Sequence, residues 1–379
     1  MQQPSAIGHS VRDILNDNKN WQNYKLYYKA ELRPEQIREV DAMLLCNDSS
    51  KGYFYYYCPD CDRHILAHFR CNSRVCNRCG KAYVDKWAKK VVKRMLDVNH
   101  NHIVFTMPSD LWLLIKDNWE CIKELSAATY RVVTETMAQS SKHTVMPGMI
   151  SSLHTFGKDM KYNIHFHTIA TEGGMDKKTK LWKTISYIPY NLLRIKWKLY
   201  ALDTITKYAE RTINNQILLE SLRYHRYRNG FNVKVIKTKI PKKELIRYIA
   251  RYVRHPAISN RRIVGYDGKT VTILCEAKEK RWYVRFTVEQ FITRLIQHIP
   301  AKNFKVIRYY GLYSRTENKK AFVKRDKQET ITKYVRPKHS IRCPSCGKIL
   351  EPLEYFPPSF PEGPPKKEIF REKIIDWIS

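Results

Sequence analysis

Hydrophobic and polar positions follow two different periods along this chain, and together they predict a mixed architecture. Apolar residues spaced three or four apart predict helices in five segments: about 34–46, 111–137, 190–228, 242–255 and 289–299. Runs of β-branched and aromatic residues predict strands at 102–108, on both sides of a polar turn within 149–174, at 262–275 and at 282–288. Because the strand pairs follow one another as hairpins, we expect an α+β fold with an antiparallel sheet.

Turn residues and composition divide the chain further. Asp267-Gly268 can supply the positive φ of a type I′ turn, so the hairpin of 262–275 is predicted to close there. We expect four regions along the chain. They are an N-terminal helical segment (1–50), a metal-binding module (51–95), a main α+β domain (96–300, with a helical insertion at about 176–240) and a basic C-terminal region (301–379).

The charge of the chain indicates a polyanionic partner. The 379 residues include 69 Lys and Arg against 36 Asp and Glu, a formal net charge of +33. Nucleic acid is the usual partner of such a field, and a basic protein of the membrane surface is the alternative. No run approaches about 18 apolar residues, and the first residues lack the apolar stretch of a signal peptide. We therefore expect an intracellular, nucleic-acid-binding protein without a membrane segment.

Cysteines cluster in a way that predicts metal binding. Cys58, Cys61, Cys76 and Cys79 form two CxxC pairs separated by 14 residues, and four thiolates so arranged predict one closed tetrahedral zinc site. Cys46, Cys71, His64 and His68 are further candidate ligands, for the same ion or a second one. A distal pair, Cys343 and Cys346, could bind zinc with His339 or another distant residue. Arg74 and Arg78 lie near the second CxxC pair and are candidate phosphate contacts.

A second candidate metal site lies on a predicted strand. The period of two places His165 and His167 on one face, while Ile164 and Phe166 point into a core. His154 lies eleven residues before His165, across the predicted turn, and is a candidate third ligand. Structural histidines are the alternative interpretation.

Two tyrosines stand out on the helix predicted at 242–255. Tyr248 and Tyr252 are four residues apart and lie outside the apolar stripe, flanked by Arg247, Arg251 and Arg254. A tyrosine hydroxyl can attack a DNA phosphate if a divalent ion polarises the phosphoryl oxygens. Chance spacing among 25 tyrosines is the alternative.

Taken in order, these motifs resemble the HUH endonuclease superfamily and, within it, the two-tyrosine rolling-circle transposases of insertion-sequence family ninety-one. The similar strings are the cysteine segment with RCNSRVCNRCG, HIVFTMP, LHTFG with IHFHTIATEGG, YIARYVRHPAISNRRI, HIPAKNFKVIRYYGLYSR and CPSCG. The resemblance implies an antiparallel HUH nuclease core preceded by a small zinc-binding module. It implies His165, His167 and His154 as ligands of Mg²⁺ or Mn²⁺, and Tyr248 and Tyr252 as nucleophiles. Arg247, Arg251, Arg254, Arg74 and Arg78 are the expected DNA contacts.

The function implied is rolling-circle transposition of an insertion sequence. The enzyme would cleave single-stranded element ends, folded as hairpins, through a 5′-phosphotyrosine intermediate, in the cytoplasm and nucleoid of a bacterial-type cell. One alternative is a plasmid replication initiator or relaxase with the same chemistry. The other is a non-catalytic, zinc-dependent DNA-binding protein. Covalent DNA–protein adducts would separate the enzyme from the binding protein.

Overall fold

A computed structural model describes residues 9–141, 143–185, 188–237, 246, 256–277, 280–314 and 341–356. The described helices are α1 Val11–Asn16, α2 Asn20–Tyr27, α3 Pro34–Leu44, α4 Asn77–Arg94, α5 Trp119–Ser141, α6 Tyr190–Tyr208, α7 Ile213–Glu220 and α8 Val288–Ile296. The strands are β1 Tyr53–Cys58, β2 Arg63–His68, β3 His100–Thr106, β4 Val145–Met146, β5 Gly148–Phe156, β6 Tyr162–Thr171, β7 Gly174–Asp176, β8 Trp182–Lys183, β9 Val233–Lys237, β10 Ile263–Tyr266, β11 Thr270–Ala277, β12 Lys280–Thr287, β13 Ile307–Gly311 and β14 Glu351–Phe356. The α+β class with antiparallel sheets is confirmed.

A five-stranded antiparallel sheet, in the order β13-β5-β6-β3-β9, forms the centre of the molecule. One face carries Ile103, Phe105, Phe166 and other apolar residues that pack under α5 and α6, where they form the largest core. Strand alternation sends the neighbouring residues to the opposite face. That opposite face holds the predicted histidines, and α4 packs beside them.

The central sheet includes β13, which belongs to the basic C-terminal region predicted at 301–379. β13 pairs with β5 from Ile307↔Ser152 to Gly311↔Gly148. The segment 341–356 lies elsewhere: β14 joins β1 and β2 in a second, three-stranded sheet. The C-terminal part of the chain therefore returns to two regions that come earlier in the sequence.

The N-terminal helices form a shared core with a distant hairpin. Residues of α1, α2 and α3 pack with β10, β11, β12 and α8, so that Trp21, Val40, Ile273 and Phe291 are buried in one cluster. The segment 1–50 is consequently packed against residues that follow the central sheet. A sequence pattern cannot reveal such a contact, because it carries no information on which apolar faces meet.

Three local predictions need correction. The single helix expected over 190–228 is divided, because α6 ends at Tyr208 and α7 covers only Ile213–Glu220. The helix expected from residue 111 begins at Trp119, because Leu111 and Ile115 lie in short 3₁₀ turns and Asn118 accepts a hydrogen bond from the amide of Cys121 (3.0 Å). The hairpin of β10 and β11 has no type I′ turn: Gly268 has a φ of 84°, but Asp267 keeps a negative φ. The Asp267 carboxylate instead accepts the amides of Lys269 and Thr270.

Within the described residues, no helix is both long enough and apolar enough to span a bilayer.

Candidate metal centres and DNA-cleavage site

The antiparallel register of β5 and β6 brings the three predicted histidines together. His154 pairs directly with His165, and Ser152 pairs with His167, so His154, His165 and His167 share one face of the central sheet. One ring nitrogen of each lies within 4.8 Å of the other two, and Nδ1 of His154 is 2.9 Å from Nε2 of His165. Three imidazole nitrogens converging in this way form a donor set that suits a divalent transition metal.

Hydrogen bonds orient two of these rings. Nδ1 of His165 lies 2.9 Å from the carbonyl oxygen of Asn163, which can only accept, so Nδ1 carries the proton and Nε2 offers its lone pair. Nδ1 of His167 lies 3.0 Å from Nε2 of His102 on β3. The Nε2 atom of His167 is therefore the nitrogen that can bind a metal together with His154 and His165. Contacts of this kind fix the tautomer and angle of metal-ligating histidines.

His102 is a site residue that the sequence patterns missed. It lies within the strand predicted at 102–108, is 1% exposed, and pairs across the sheet with Ile169, two positions from His167. Its contact with His167 depends on the register between β3 and β6. A period-two pattern could have placed His102 on one strand face, but not beside His167.

The buried histidines are electrically neutral at physiological pH. Burial lowers the pKa of His165, and burial together with the neighbouring His165 and His102 lowers the pKa of His167 to about 2. Burial also lowers the pKa of His102 to about 4. Neutral imidazole is the form that binds a metal, so the rings need not lose a proton to become ligands.

The predicted tyrosine helix is represented by a single described residue. Ile246 is helical, fully buried and packed in a cluster with Ile150 and Ile169, which lie on the histidine face of β5 and β6. The residues Tyr248, Tyr252, Arg247, Arg251 and Arg254 lie outside the described residues.

The cysteines form two groups, which corrects the single zinc site predicted from the two CxxC pairs. Cys76 and Cys79 group with Cys46 and Cys71, and their nearest sulfur–sulfur distances are 3.6–3.7 Å. Cys58 and Cys61 instead group with the distal pair Cys343 and Cys346. The two cysteines of a CxxC pair are close in sequence and can be recognised there. Which other cysteines join them in a group of four depends on the tertiary fold.

The first cysteine group lies where α3 and α4 meet the N-terminal core. Cys46 follows α3, and Cys76 is the N-cap residue of α4, with Cys79 in the first turn of that helix. Cys46, Cys76 and Cys79 are buried in the same cluster as Val75 and Val40. A hydrogen bond from the Cys71 thiol is the main factor that lowers the pKa of Cys76 to about 5. A thiolate is thus favoured here, as zinc ligation requires.

His64 and His68 belong to neither cysteine group within the described residues. Nε2 of His68 lies 3.0 Å from Oγ of Ser49, and the ring of His64 stacks on Tyr55 with a centroid distance of 5.2 Å. His339, the other suggested ligand, lies outside the described residues.

The two candidate arginines of this region differ in exposure. Arg74 is half-buried: its guanidinium donates to the carbonyl oxygen of Phe304 (3.3 Å), and it lines a small cavity next to His154. Arg78 is exposed in the first turn of α4. Farther along α4 the exposed side chains are mostly basic: Lys81, Lys86, Lys89, Lys90, Lys93 and Arg94.

Comparisons with known proteins agree with this layout. Residues 17–107, which contain Cys46, Cys71, Cys76 and Cys79, match the family described as "Transposase zinc-binding domain". Residues 148–320, which contain the three histidines, match the family described as "Putative transposase". No solved structure matches the chain at comparable significance.

Two curated relatives match along most of the chain. The transposase for insertion sequence element IS801 from Pseudomonas savastanoi pv. phaseolicola is 27% identical over 327 residues, which cover 81% of this chain and 77% of that protein. "Putative transposase y4qJ" from Sinorhizobium fredii (strain NBRC 101917 / NGR234) is 24% identical over 326 residues, covering 80% of each. Because one part of the chain matches a transposase zinc-binding domain, another matches a putative transposase domain, and two transposases are similar along most of its length, the chain is a transposase, a DNA-cutting and DNA-joining enzyme.

Proposed function

We propose that this transposase is a metal-dependent, site-specific endonuclease and strand transferase for single-stranded DNA. It would move an insertion sequence by a rolling-circle mechanism, acting on element ends folded as hairpins, in a bacterial-type nucleoid. The observation that carries the proposal is the cluster of His154, His165 and His167 on adjacent strands of the central sheet. The alternative of a replication initiator has no comparable support, since both curated relatives are named transposases.

The three imidazoles would hold Mg²⁺ or Mn²⁺. Imidazole nitrogens bind a transition metal such as Mn²⁺ more tightly than Mg²⁺, so the concentration of each ion in the cell decides which is bound. When bound, a divalent ion there polarises the phosphoryl oxygens of the scissile phosphate and stabilises charge on the leaving oxygen. His102 would keep His167 aligned for this task, through the contact between Nε2 and Nδ1.

Tyr248 and Tyr252 would be the nucleophiles. The phenolic oxygen attacks phosphorus and forms a tyrosine–phosphate bond, the bond from phosphorus to the 3′ oxygen breaks, and a 3′-hydroxyl leaves. The phosphodiester energy is conserved in 5′-phosphotyrosine, so rejoining needs no ATP. Supporting this, Ile246 packs on the histidine face of the sheet only two residues before Tyr248.

The first cysteine group would stabilise the zinc-binding module, and the basic residues would bind DNA. Cys46, Cys71, Cys76 and Cys79 would bind a structural zinc ion, which fixes the end of α3 to the start of α4. The exposed lysines of α4, with Arg74 and Arg78, would hold phosphates beside the histidine face. Arg247, Arg251 and Arg254 would do the same near the tyrosines.

A covalent-adduct assay tests this function. The substrate is a single-stranded oligonucleotide of the element end, taken from DNA flanking the gene and labelled at its 3′ end, because the 5′-phosphotyrosine stays with that fragment. With Mn²⁺, the transposase should carry label through a denaturing gel. The Tyr248→Phe/Tyr252→Phe variant should not, whereas Tyr224→Phe, at a tyrosine that is 68% exposed elsewhere, should. Equal labelling of all three would contradict the proposal.

A further inference from the structure

Among the side chains that the structure describes, the sheet of β14, β1 and β2 has a small buried core. β14 pairs with β1 from Tyr53↔Phe356 to Tyr57↔Glu351. Its fully buried residues, within the described side chains, are Tyr56, Cys58, Cys343 and Leu350, and a few partly buried apolar residues pack against them. Units with cores this small usually need a metal or a disulfide to stay folded.

Two matching cysteine turns meet in that core. Cys58-Pro59-Asp60-Cys61 and Cys343-Pro344-Ser345-Cys346 have the same CPxC pattern. Each is followed by a residue with positive φ, Asp62 at 46° and Gly347 at 73°, so both turns fold back in the same way. The amide of Gly347 donates to the carbonyl oxygen of Cys343 (2.9 Å), which closes the second turn.

The sulfur positions suit a zinc ion. The four thiols lie within 4.8 Å of one another, and Sγ of Cys58 is 3.6 Å from Sγ of Cys346. Four sulfurs at a Zn–S distance of about 2.3 Å are about 3.8 Å apart along a tetrahedral edge. A disulfide would bring two sulfurs to about 2.05 Å.

We propose that Cys58, Cys61, Cys343 and Cys346 bind a second zinc ion, which fastens the C-terminal segment to the N-terminal module. The matched zinc-binding family ends at residue 107 and so includes only two of these four ligands. Polar contacts close the same junction: Lys348 pairs with Asp60, and Arg63 donates to Oγ of Ser345 (3.0 Å). Because Cys58 and Cys346 are 288 residues apart, this ion joins distant parts of the chain.

Metal analysis of the whole protein tests the second site. The freshly purified transposase should contain two zinc ions per chain, and Cys343→Ser/Cys346→Ser should contain one. Cys275→Ser is the matched control and should keep two, because its thiol donates to the carbonyl oxygen of Lys158 and a serine hydroxyl can do the same. One zinc in the wild type, unchanged in the Cys343/Cys346 variant, would overturn the proposal.

Hydrogen exchange gives a second readout that does not depend on activity. In the Cys343→Ser/Cys346→Ser variant, amides of 341–356 should exchange faster, including that of Leu350, which donates to the carbonyl oxygen of Ile341. Peptides from β5 and β6 should keep their wild-type protection. Unchanged protection of 341–356 would overturn the proposal, as would thiol titration that finds these four cysteines in disulfides.

A different observation on the same sheet carries a second inference. β1 turns Phe54 and Tyr56 toward the small core, and it presents Tyr53, Tyr55 and Tyr57 on the other face. The cross-strand partners of these three tyrosines are His68, Leu66 and His64. The rings lie close together: Tyr55 and His64 are nearly parallel, with planes 8° apart.

We infer that this aromatic face, made of Tyr53, Tyr55, Tyr57, His64 and His68, stacks the bases of single-stranded DNA. Lys51 and Arg70, next to the ends of β1 and β2, are exposed and basic, which suits a phosphate backbone alongside the rings. Aromatic platforms with a basic border bind single strands with little sequence preference, since every base has a π-face. The inference rests on the proposed action on single-stranded DNA.

Binding of a fluorescent oligothymidylate tests the aromatic face. Tyr55→Ala/Tyr57→Ala should raise Kd by about tenfold or more, and Tyr55→Trp should keep the wild-type value, because stacking survives. Tyr27→Ala, at a tyrosine that is 82% exposed on α2, is the control and should change nothing. Equal Kd for the wild type and the double variant would overturn the aromatic face alone. Failure of the wild type to bind single strands would overturn the proposed function as well.

Discussion

At the scale of single residues, the three histidines should be separable from DNA binding. His165→Ala or His167→Ala should abolish cleavage of single-stranded substrate while leaving its Kd within about twofold. The ion they hold acts on the scissile phosphate and adds little to strand affinity. His154→Ala should have the same effect or a milder one. Cleavage and anisotropy measured on the same preparations check this, and wild-type cleavage in excess chelator would contradict it.

His102 should act through His167 on metal affinity. Removing a hydrogen-bonded partner of a metal-ligating histidine typically costs about 10–100-fold in affinity, so His102→Ala should raise the Mn²⁺ concentration for half-maximal cleavage by that factor. His102→Gln, which can still hydrogen-bond Nδ1 of His167, should recover part of the loss. Calorimetric titration of Mn²⁺ gives the affinity directly. An unchanged half-saturating concentration in His102→Ala would make it a purely structural residue.

The site residues that the sequence predicts and the one that it misses differ in how far apart along the chain the contacting residues lie. His165 and His167 share a strand face through a period of two, and His154 follows from a hairpin closed within a few residues. His102 is 65 residues from His167, and only the pairing of β3 with β6 joins them. Local periodicity predicts the first kind of contact. Strand register, which the whole sheet determines, decides the second.

At the scale of elements, His298 after α8 should make the fold acid-sensitive. Nδ1 lies 3.2 Å from Oγ1 of Thr155 and Nε2 lies 3.1 Å from the carbonyl oxygen of Met160, so this ring holds the turn between β5 and β6. Burial is the main cause that lowers its pKa to about 4. The unfolded chain, with a histidine pKa of about 6.5, therefore binds more protons below that pH.

The sign follows from that difference. The contribution of His298 to the free energy of unfolding is complete above about pH 6.5 and falls as the pH drops toward 4, with about 2 kcal/mol lost at pH 5. Urea unfolding at pH 7.5 and 5.0 measures it. Between these two pH values, the free energy of unfolding of His298→Gln should fall by about 2 kcal/mol less than that of the wild type. The cysteine sites contribute equally to both proteins, so their own acid sensitivity does not affect this comparison. An identical loss in both proteins would contradict the assignment.

Periodicity predicts part of the fold, but it misses the 18-residue helix α4 and the strands β1, β2, β9, β13 and β14. β5, β6, β12 and α8 lie where the patterns indicate. The turn after β10 was misjudged because the Asp267 side chain, which accepts two backbone amides, allows a different geometry from type I′. Likewise α5 starts late because Asn118 caps it. Side-chain caps compete with intrinsic turn preferences, and sequence alone does not say which prevails.

At the scale of the whole molecule, cysteine grouping marks the limit of sequence interpretation. The CxxC pairs are local and were recognised, but Cys58 and Cys61 meet Cys343 and Cys346 from the other end of the chain. The two pairs nearest in sequence looked like one site. In the structure one pair lies in the N-terminal core and the other in the small sheet. The N-terminal core and the small sheet each depend on contacts between distant segments of the chain.

The net charge of +33 predicts strongly salt-dependent DNA binding. If about six to ten phosphates are contacted, affinity should fall about 10³–10⁵-fold between about 50 and 200 mM salt. Lys89→Ala/Lys93→Ala on the exposed side of α4 should reduce the slope of log K against log salt by about two. Lys123→Ala, which removes a lysine paired with Glu120 on α5, is the control and should leave it unchanged. Fluorescence anisotropy gives the slopes, and a flat response would indicate a partner other than nucleic acid.

The most direct measurement of the central claim is the position of the nucleotide on the protein. Trypsin cuts after Arg247, Arg251 and Arg254, so Tyr248 and Tyr252 fall in two separate short peptides, YIAR and YVR. The protein is first allowed to react with the single-stranded element end in Mn²⁺, and the attached DNA is then shortened with a nuclease. Mass spectrometry should find a nucleotide linked through its 5′-phosphate to the tyrosine of one or both of these peptides. Each single Phe variant should shift the adduct to the remaining tyrosine. An adduct on any other residue, or none under conditions that cleave the DNA, would contradict the account.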